Sequence, residues 1–91
     1  MKISVKLLKP FSDIAGRGEV GLDFEEGTAT RALEQLCELY PDLKQALFEE
    51  DGQISYSVNV FVNDRPLIGS EEERQLSEGD ELLVFMAVSG G

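Results

Sequence analysis

The residues best placed to do chemistry in this chain are its last two. The sequence closes on Val88-Ser89-Gly90-Gly91. A carboxylate on a terminal glycine is unhindered, so an ATP-dependent enzyme could convert it to an acyl-adenylate. Glycine has no Cβ, so such a tail can pass through a narrow channel and take backbone angles that other residues resist. A plainer alternative stands beside this one. Chain ends are usually poorly ordered, and with glycine at about 7% of residues a random chain ends in two of them roughly once in 200 cases. The tail alone decides nothing, so its context has to be read.

Other reactive chemistry is scarce. The 91 residues contain no histidine, which removes Ser-His-Asp and Cys-His catalysis and the commonest transition-metal ligand. One cysteine, Cys37, excludes a disulfide framework and fits a reducing, cytoplasmic setting. A zinc site is not expected from one Cys and no His, and no metal site is assigned. Gly16-Arg17-Gly18-Glu19-Val20-Gly21 matches the letters of a dinucleotide fingerprint. That motif needs a strand before it and a helix opening at its end. Here a strand follows, so the segment reads as a hairpin loop. The acid runs Glu49-Glu50-Asp51 and Glu71-Glu72-Glu73 lack the alternating spacing of a calcium loop and read as solvated.

The net charge is −10, from 18 acidic and 8 basic residues. Nucleic acid and anionic membranes repel such a surface. A basic face on another protein is the better partner, and the plain alternative is solubility. With 42% hydrophobic residues, the chain reads as one globular domain over 1–91. Neither a secretory signal nor a spanning segment is expected.

Hydrophobic period gives the elements that must position the tail. Met1 to Lys9 alternates, with Ile3, Val5 and Leu7 inward, and Pro10 ends it. Ser12 is the candidate cap for a short turn through Ile14. Glu19 to Phe24 alternates again and completes a hairpin. Thr28 is the expected N-cap of a helix from Ala29 to about Tyr40, with Ala29, Ala32, Leu33, Leu36 and Tyr40 on its apolar face and Cys37 at the edge. Pro41 closes it, and Leu43 to Phe48 suggests one more turn. Ser57 to Asn63 is the clearest strand, followed by an Asn63-Asp64 turn and a short strand near Leu67. Ser70 and Glu73 match a capping box. Ser77 to Asp80 is a turn, and Leu82 to Val88 is the last strand. Strands and one main helix in this order predict an α+β two-layer domain, a mixed sheet of four to five strands with the helix on one face.

Strand parity then marks a solvent side. Val58, Val60 and Val62 share a face, so Asn59 and Phe61 share the other, and Asn59 is costly in a dry core. Lys2, Ser4 and Lys6 mark the same side of the first strand, and Leu8 follows them by period. In the last strand no polar residue fixes the parity.

The strand-strand-helix-strand-strand order resembles the MoaD/ThiS family of ubiquitin-like sulfur carriers, which have a β-grasp fold. So do Val58-Asn59-Val60-Phe61-Val62-Asn63, Leu76-Ser77-Glu78-Gly79-Asp80-Glu81 and the terminal Val88-Ser89-Gly90-Gly91. The stretch from Phe11 to Gly16 is similar to the family's short helix after the first strand. Many members place two prolines before the terminal valine, where this chain has Met86-Ala87. That departure bears on assignment to the molybdopterin synthase small subunit and leaves the carrier chemistry untouched.

The resemblance implies a mechanism. A ubiquitin-activating-type adenylyltransferase (MoeB/ThiF-like) uses ATP and magnesium to adenylate Gly91, and a persulfide-forming enzyme supplies sulfur to give a thiocarboxylate. Gly90 and Ser89 thread the partner's channel as a flexible tail over 89–91. The acceptor is a pterin precursor if the second partner is the molybdopterin synthase large subunit. Cysteine, thiamine or tRNA thiolation are alternatives, as is transfer to a lysine amine by a ubiquitin-like modifier. The chain itself binds no cofactor, and its partners carry the catalytic groups. The resemblance also implies that Phe85 points outward, which by period takes Leu83 with it. Leu8, Phe61, Leu83 and Phe85 would then form one docking patch.

Overall fold

The computed structural model describes residues 1–86. Strand β1 (Lys2–Leu7) forms where the alternation predicts it, with Ile3, Val5 and Leu7 buried and Lys2 and Lys6 exposed. Helix α1 (Phe11–Ala15) follows and buries Phe11. Pro10, not Ser12, holds its N-cap position, and no side chain caps it. Proline suits a helix start because its ring presets φ and the missing N–H would have no partner there. Ser12 lies inside the helix, where its carbonyl accepts from the Gly16 and Arg17 N–H groups. Gly16 ends the turn at φ 80°, in the left-handed region that glycine enters without a Cβ penalty.

Strand β2 (Glu19–Asp23) runs antiparallel to β1, with Val5 opposite Val20 and Ile3 opposite Leu22. Helix α2 (Ala29–Leu39) starts at Thr28, whose hydroxyl oxygen accepts from the Arg31 N–H at 3.4 Å. It buries Ala29, Ala32, Leu33, Leu36 and Cys37, the 3.6-residue stripe that packs on a sheet. Cys37 is buried at the edge of that stripe, as expected, and lines a surface groove with Arg31 and Glu34. The short helix α3 (Leu43–Leu47) adds Leu43 and Leu47 to the same core.

Strand β3 (Val58–Val62) and strand β4 (Arg65–Pro66) form a hairpin with Val62 opposite Arg65. The expected strand near Leu67 is this two-residue β4, which stops at Pro66. Asn63 and Asp64 make the hairpin turn at φ 49° and 70°. Two positive φ angles in a two-residue loop match the right-handed twist of the strands it joins. A 3-10 turn spans Gly69–Glu72, begins after Ile68 and has no side-chain cap. The Ser70–Glu73 capping box is therefore not formed: Ser70 lies within the turn, and Glu73 follows it.

Strand β5 (Glu81–Met86) closes the sheet, whose order is β2-β1-β5-β3-β4. It is parallel to β1 and antiparallel to β3. The buried residues of β1, β3 and β5 share one cluster with those of α1, α2 and α3, so the helices cover one face of the sheet. Leu33 and Leu36 are wholly inaccessible, and truncating either to Ala would cost about 2–5 kcal/mol.

Candidate functional site

The uncovered face of the sheet carries the predicted patch. In β5 the even residues Leu82 and Val84 are buried, so Leu83 and Phe85 point the other way and are half-buried. The register sets Lys6, Leu83 and Phe61 side by side across β1, β5 and β3, and Pro66 of β4 continues that row opposite Phe61. The next row places Phe85 opposite Asn59. Leu8 prolongs the β1 pairing, its N–H donating to the Val84 carbonyl at 3.0 Å. The Phe61 and Phe85 rings lie 5.5 Å apart, centroid to centroid, tilted by 51°, the offset geometry that aromatic quadrupoles favour. Leu8 is 49% exposed, while the other three partly cover one another. The structure thus brings Leu8, Phe61, Leu83 and Phe85 onto one face.

A polar cluster positions the start of the strand that carries this patch. The Asn63 N–H donates to the Glu81 carbonyl at 2.9 Å, and the Glu81 N–H donates back to Asn63 Oδ1 at 3.0 Å. Asn63 Nδ2 donates to Asp80 Oδ1 at 2.8 Å, and the Ser77 N–H donates to Asp80 Oδ2 at 2.8 Å. Arg74 lies 3.6 Å from the same carboxylate and donates to Glu71 at 2.8 Å. Burial raises the Asp80 pKa, but the Ser77 and Asn63 hydrogen bonds and the Arg74 guanidinium together outweigh it and hold the carboxyl below its ordinary value. Gly79, at φ 85°, lets the turn close so that its N–H reaches the Lys2 carbonyl at 2.7 Å. The sequence marked Asn63 and Asp80 only as separate turn residues. Their link depends on β3 and β5 being antiparallel neighbours, which local pattern does not encode. Pro66 was also missed as a member of the apolar face, for the same reason.

Cys37 offers no reactive thiol. Burial pushes its pKa up to about 11 against a smaller opposing pull from Lys44, and a thiol that stays protonated is a poor nucleophile. Among the described residues, no group of three or more Cys, Asp or Glu side chains is arranged to hold a metal ion, and no helix is long and apolar enough to cross a membrane.

Ser89, Gly90 and Gly91 lie outside the described residues, as do Ala87 and Val88 of the expected last strand. Five residues, 87–91, follow Met86 in the sequence.

Comparison with known proteins connects this frame to a lineage. Small archaeal modifier protein 1 of Haloferax volcanii is 32% identical over 87 residues, covering 94% of this chain and 97% of the relative. Its crystal structure superposes with a TM-score of 0.86 over 100% of both chains. The solution structure of small archaeal modifier protein 1 from Methanosarcina acetivorans gives 0.84 at 28% identity, covering 99% of this chain and 96% of that one. A candidate sulfur carrier protein of Archaeoglobus fulgidus is 26% identical over 90 residues, covering 98% and 100%. The mixed five-stranded sheet with its packed helices is the β-grasp architecture of these structures. The ThiS family model matches residues 5–91, a span that takes in every strand but the start of β1 and runs through the Gly-Gly end, and the chain belongs to this family of ubiquitin-like carrier and modifier proteins.

Proposed function

We propose that this chain is a sulfur carrier that works through the carboxylate of Gly91. The carboxylate attacks the α-phosphate of ATP on an activating enzyme, with magnesium, and pyrophosphate leaves. A persulfide sulfur then displaces AMP, and a thiol cleaves the acyl disulfide to leave a thiocarboxylate. Ser89 and Gly90 thread the partner's channel. The folded body docks through the Leu8, Phe61, Leu83 and Phe85 face, and the catalytic groups of every step lie on cytoplasmic partners. The acceptor we favour is a pterin precursor on a molybdopterin synthase large subunit. The observation that carries the reading is the family match that runs to residue 91, so that Gly90 and Gly91 fall inside the matched span.

A second reading has its own support, since the 32%-identical Haloferax relative is named a modifier. In that case the activated carboxylate is joined to a lysine amine. Mass spectrometry of the protein from its own cells separates the two. Exchange of one oxygen for sulfur on the C-terminal peptide marks a carrier, and lysines of other proteins that carry the branched tryptic remnant 75–91, cut after Arg74, mark a modifier. Deleting Gly91 should abolish ATP-dependent activation and leave thermal unfolding nearly unchanged. Normal activation of the truncated chain would exclude the Gly91 assignment.

A further inference from the structure

The outer edge of β3 is only half covered. Asn63 bonds β5 through its backbone, and the Leu67 N–H bonds the Val60 carbonyl at 2.9 Å on the other side. Backbone groups two residues apart in a strand point the same way. Val58 and Val60 therefore turn theirs toward the β4 side. There β4 stops at Pro66, and the chain folds back as the Ile68 N–H bonds the Pro66 carbonyl at 3.0 Å. The Val58 N–H donates to the Ser55 carbonyl at 3.0 Å. Among the described residues, no hydrogen bond reaches the Val60 N–H or the Val58 carbonyl. One donor and one acceptor lie side by side on an open edge, at the spacing that receives one extended residue of another chain.

This edge opens on a groove of about 570 Å³ whose walls include Ile54, Tyr56, Leu67 and Ile68. Tyr56 is 94% exposed and Ile68 67%. Proteins blunt free edges with proline, charge or a covering loop. Pro66 does this for β4 and does not reach Val58–Val60. Charge indicates what covers the edge. Glu72 lines the groove and no Lys or Arg does, while Glu49, Glu50 and Asp51 are exposed on the loop leading into it.

We propose that the β3 edge at Val58–Val60 docks an extended, basic segment of a partner protein by strand addition. The open backbone pair sets the extended conformation, the apolar walls take alternate side chains, and the acidic rim selects lysine or arginine flanks. A second copy of this chain would bring another −10 charge against the same rim, so self-pairing is repelled. Val58 lies opposite Met86, so the docked segment runs about 10 Å, two strand spacings, from the base of the tail. The site is independent of what Gly91 carries.

The test titrates the isotope-labelled full chain with a synthetic peptide of alternating valine and threonine flanked by lysines. At saturation the Val60 amide should exchange at least about tenfold more slowly, and shifts should gather on Tyr56, Val58, Asn59, Val60 and Ile68. Flanking glutamates in place of lysines should weaken binding by at least about tenfold. Ile68→Ser should weaken it by at least about fivefold with an unchanged circular dichroism spectrum and melting curve. The proposal is overturned by an absence of binding, by equal binding of the glutamate peptide, or by shifts confined to Leu8, Leu83 and Phe85. Protection of Val60 in peptide-free protein that sediments as a dimer would make a second copy the occupant and equally overturn it.

Discussion

Asn63 and Asp80, 17 positions apart, are joined by a 2.8 Å hydrogen bond that ties the β3–β4 turn to the start of β5. Asp80 is buried and serves donors from Asn63 and Ser77. Asp80→Asn puts an N–H₂ where one donor now finds an oxygen, and should cost about 1–3 kcal/mol near neutral pH. The folded carboxyl has a lowered pKa. Its contribution is therefore complete above the unfolded value and is lost as pH falls through the folded one. Urea unfolding of both proteins across pH should show the difference shrinking below about pH 4. A difference that stays constant into acid would assign the effect to shape, not charge.

The Phe61–Phe85 pair offers a test of the proposed docking face. Phe85 is half-buried against its neighbours, so Phe85→Ala should cost less folding stability than the ~3–5 kcal/mol of a core phenylalanine. In binding to the activating enzyme it should cost at least ~2 kcal/mol, as interface anchors do. Calorimetric binding and denaturant unfolding on the same variant decide between them. Intact affinity with a large folding loss would remove the docking role.

At the β3–β4 turn, Asp64 holds φ 70° with a Cβ. Asp64→Gly keeps the hairpin geometry and relieves that strain, and should raise stability by about 0.5–1 kcal/mol. Thermal unfolding measures it. A lower melting temperature would mean that the aspartate side chain stabilises the turn.

Cys37 should resist thiol reagents in the native protein at mildly alkaline pH, because burial holds its pKa at about 11. Labelling should become fast only in denaturant. Rapid native labelling would show that helix α2 opens readily at this site.

Much of this molecule was legible because its signals are local. The inward set Ile3, Val5, Leu7, Val58, Val60 and Val62 followed from alternation alone, and Thr28 and Pro41 bracketed α2 by cap and breaker chemistry. The Leu8–Phe61 side of the patch followed from Lys6 and Asn59 marking the solvent side. Phe85 and Leu83 did not, since Leu82 to Met86 has no polar residue to set parity, and only the family resemblance oriented them. Ser12 and Ser70 misled because a capping sequence is satisfied only if the backbone turns there. Pro10 and Gly69 moved both turns upstream. The Asn63–Asp80 link and the half-open β3 edge depend on which strands become neighbours. That pairing arises from tertiary packing and leaves no short-range pattern.

The sheet order has a consequence for how the protein is made. Strand β5 is the last described strand in the chain, yet it lies between β1 and β3. Among the described residues the hairpins β1–β2 and β3–β4 share no strand pairing with each other, and β5 pairs with both. On the ribosome the sheet cannot assemble until its middle strand has cleared the exit tunnel. A nascent chain interrupted before β5 has two unjoined hairpins and no Leu83–Phe85 surface. An interrupted chain therefore lacks the closed sheet and its outer apolar face at once, and the two arise together in translation.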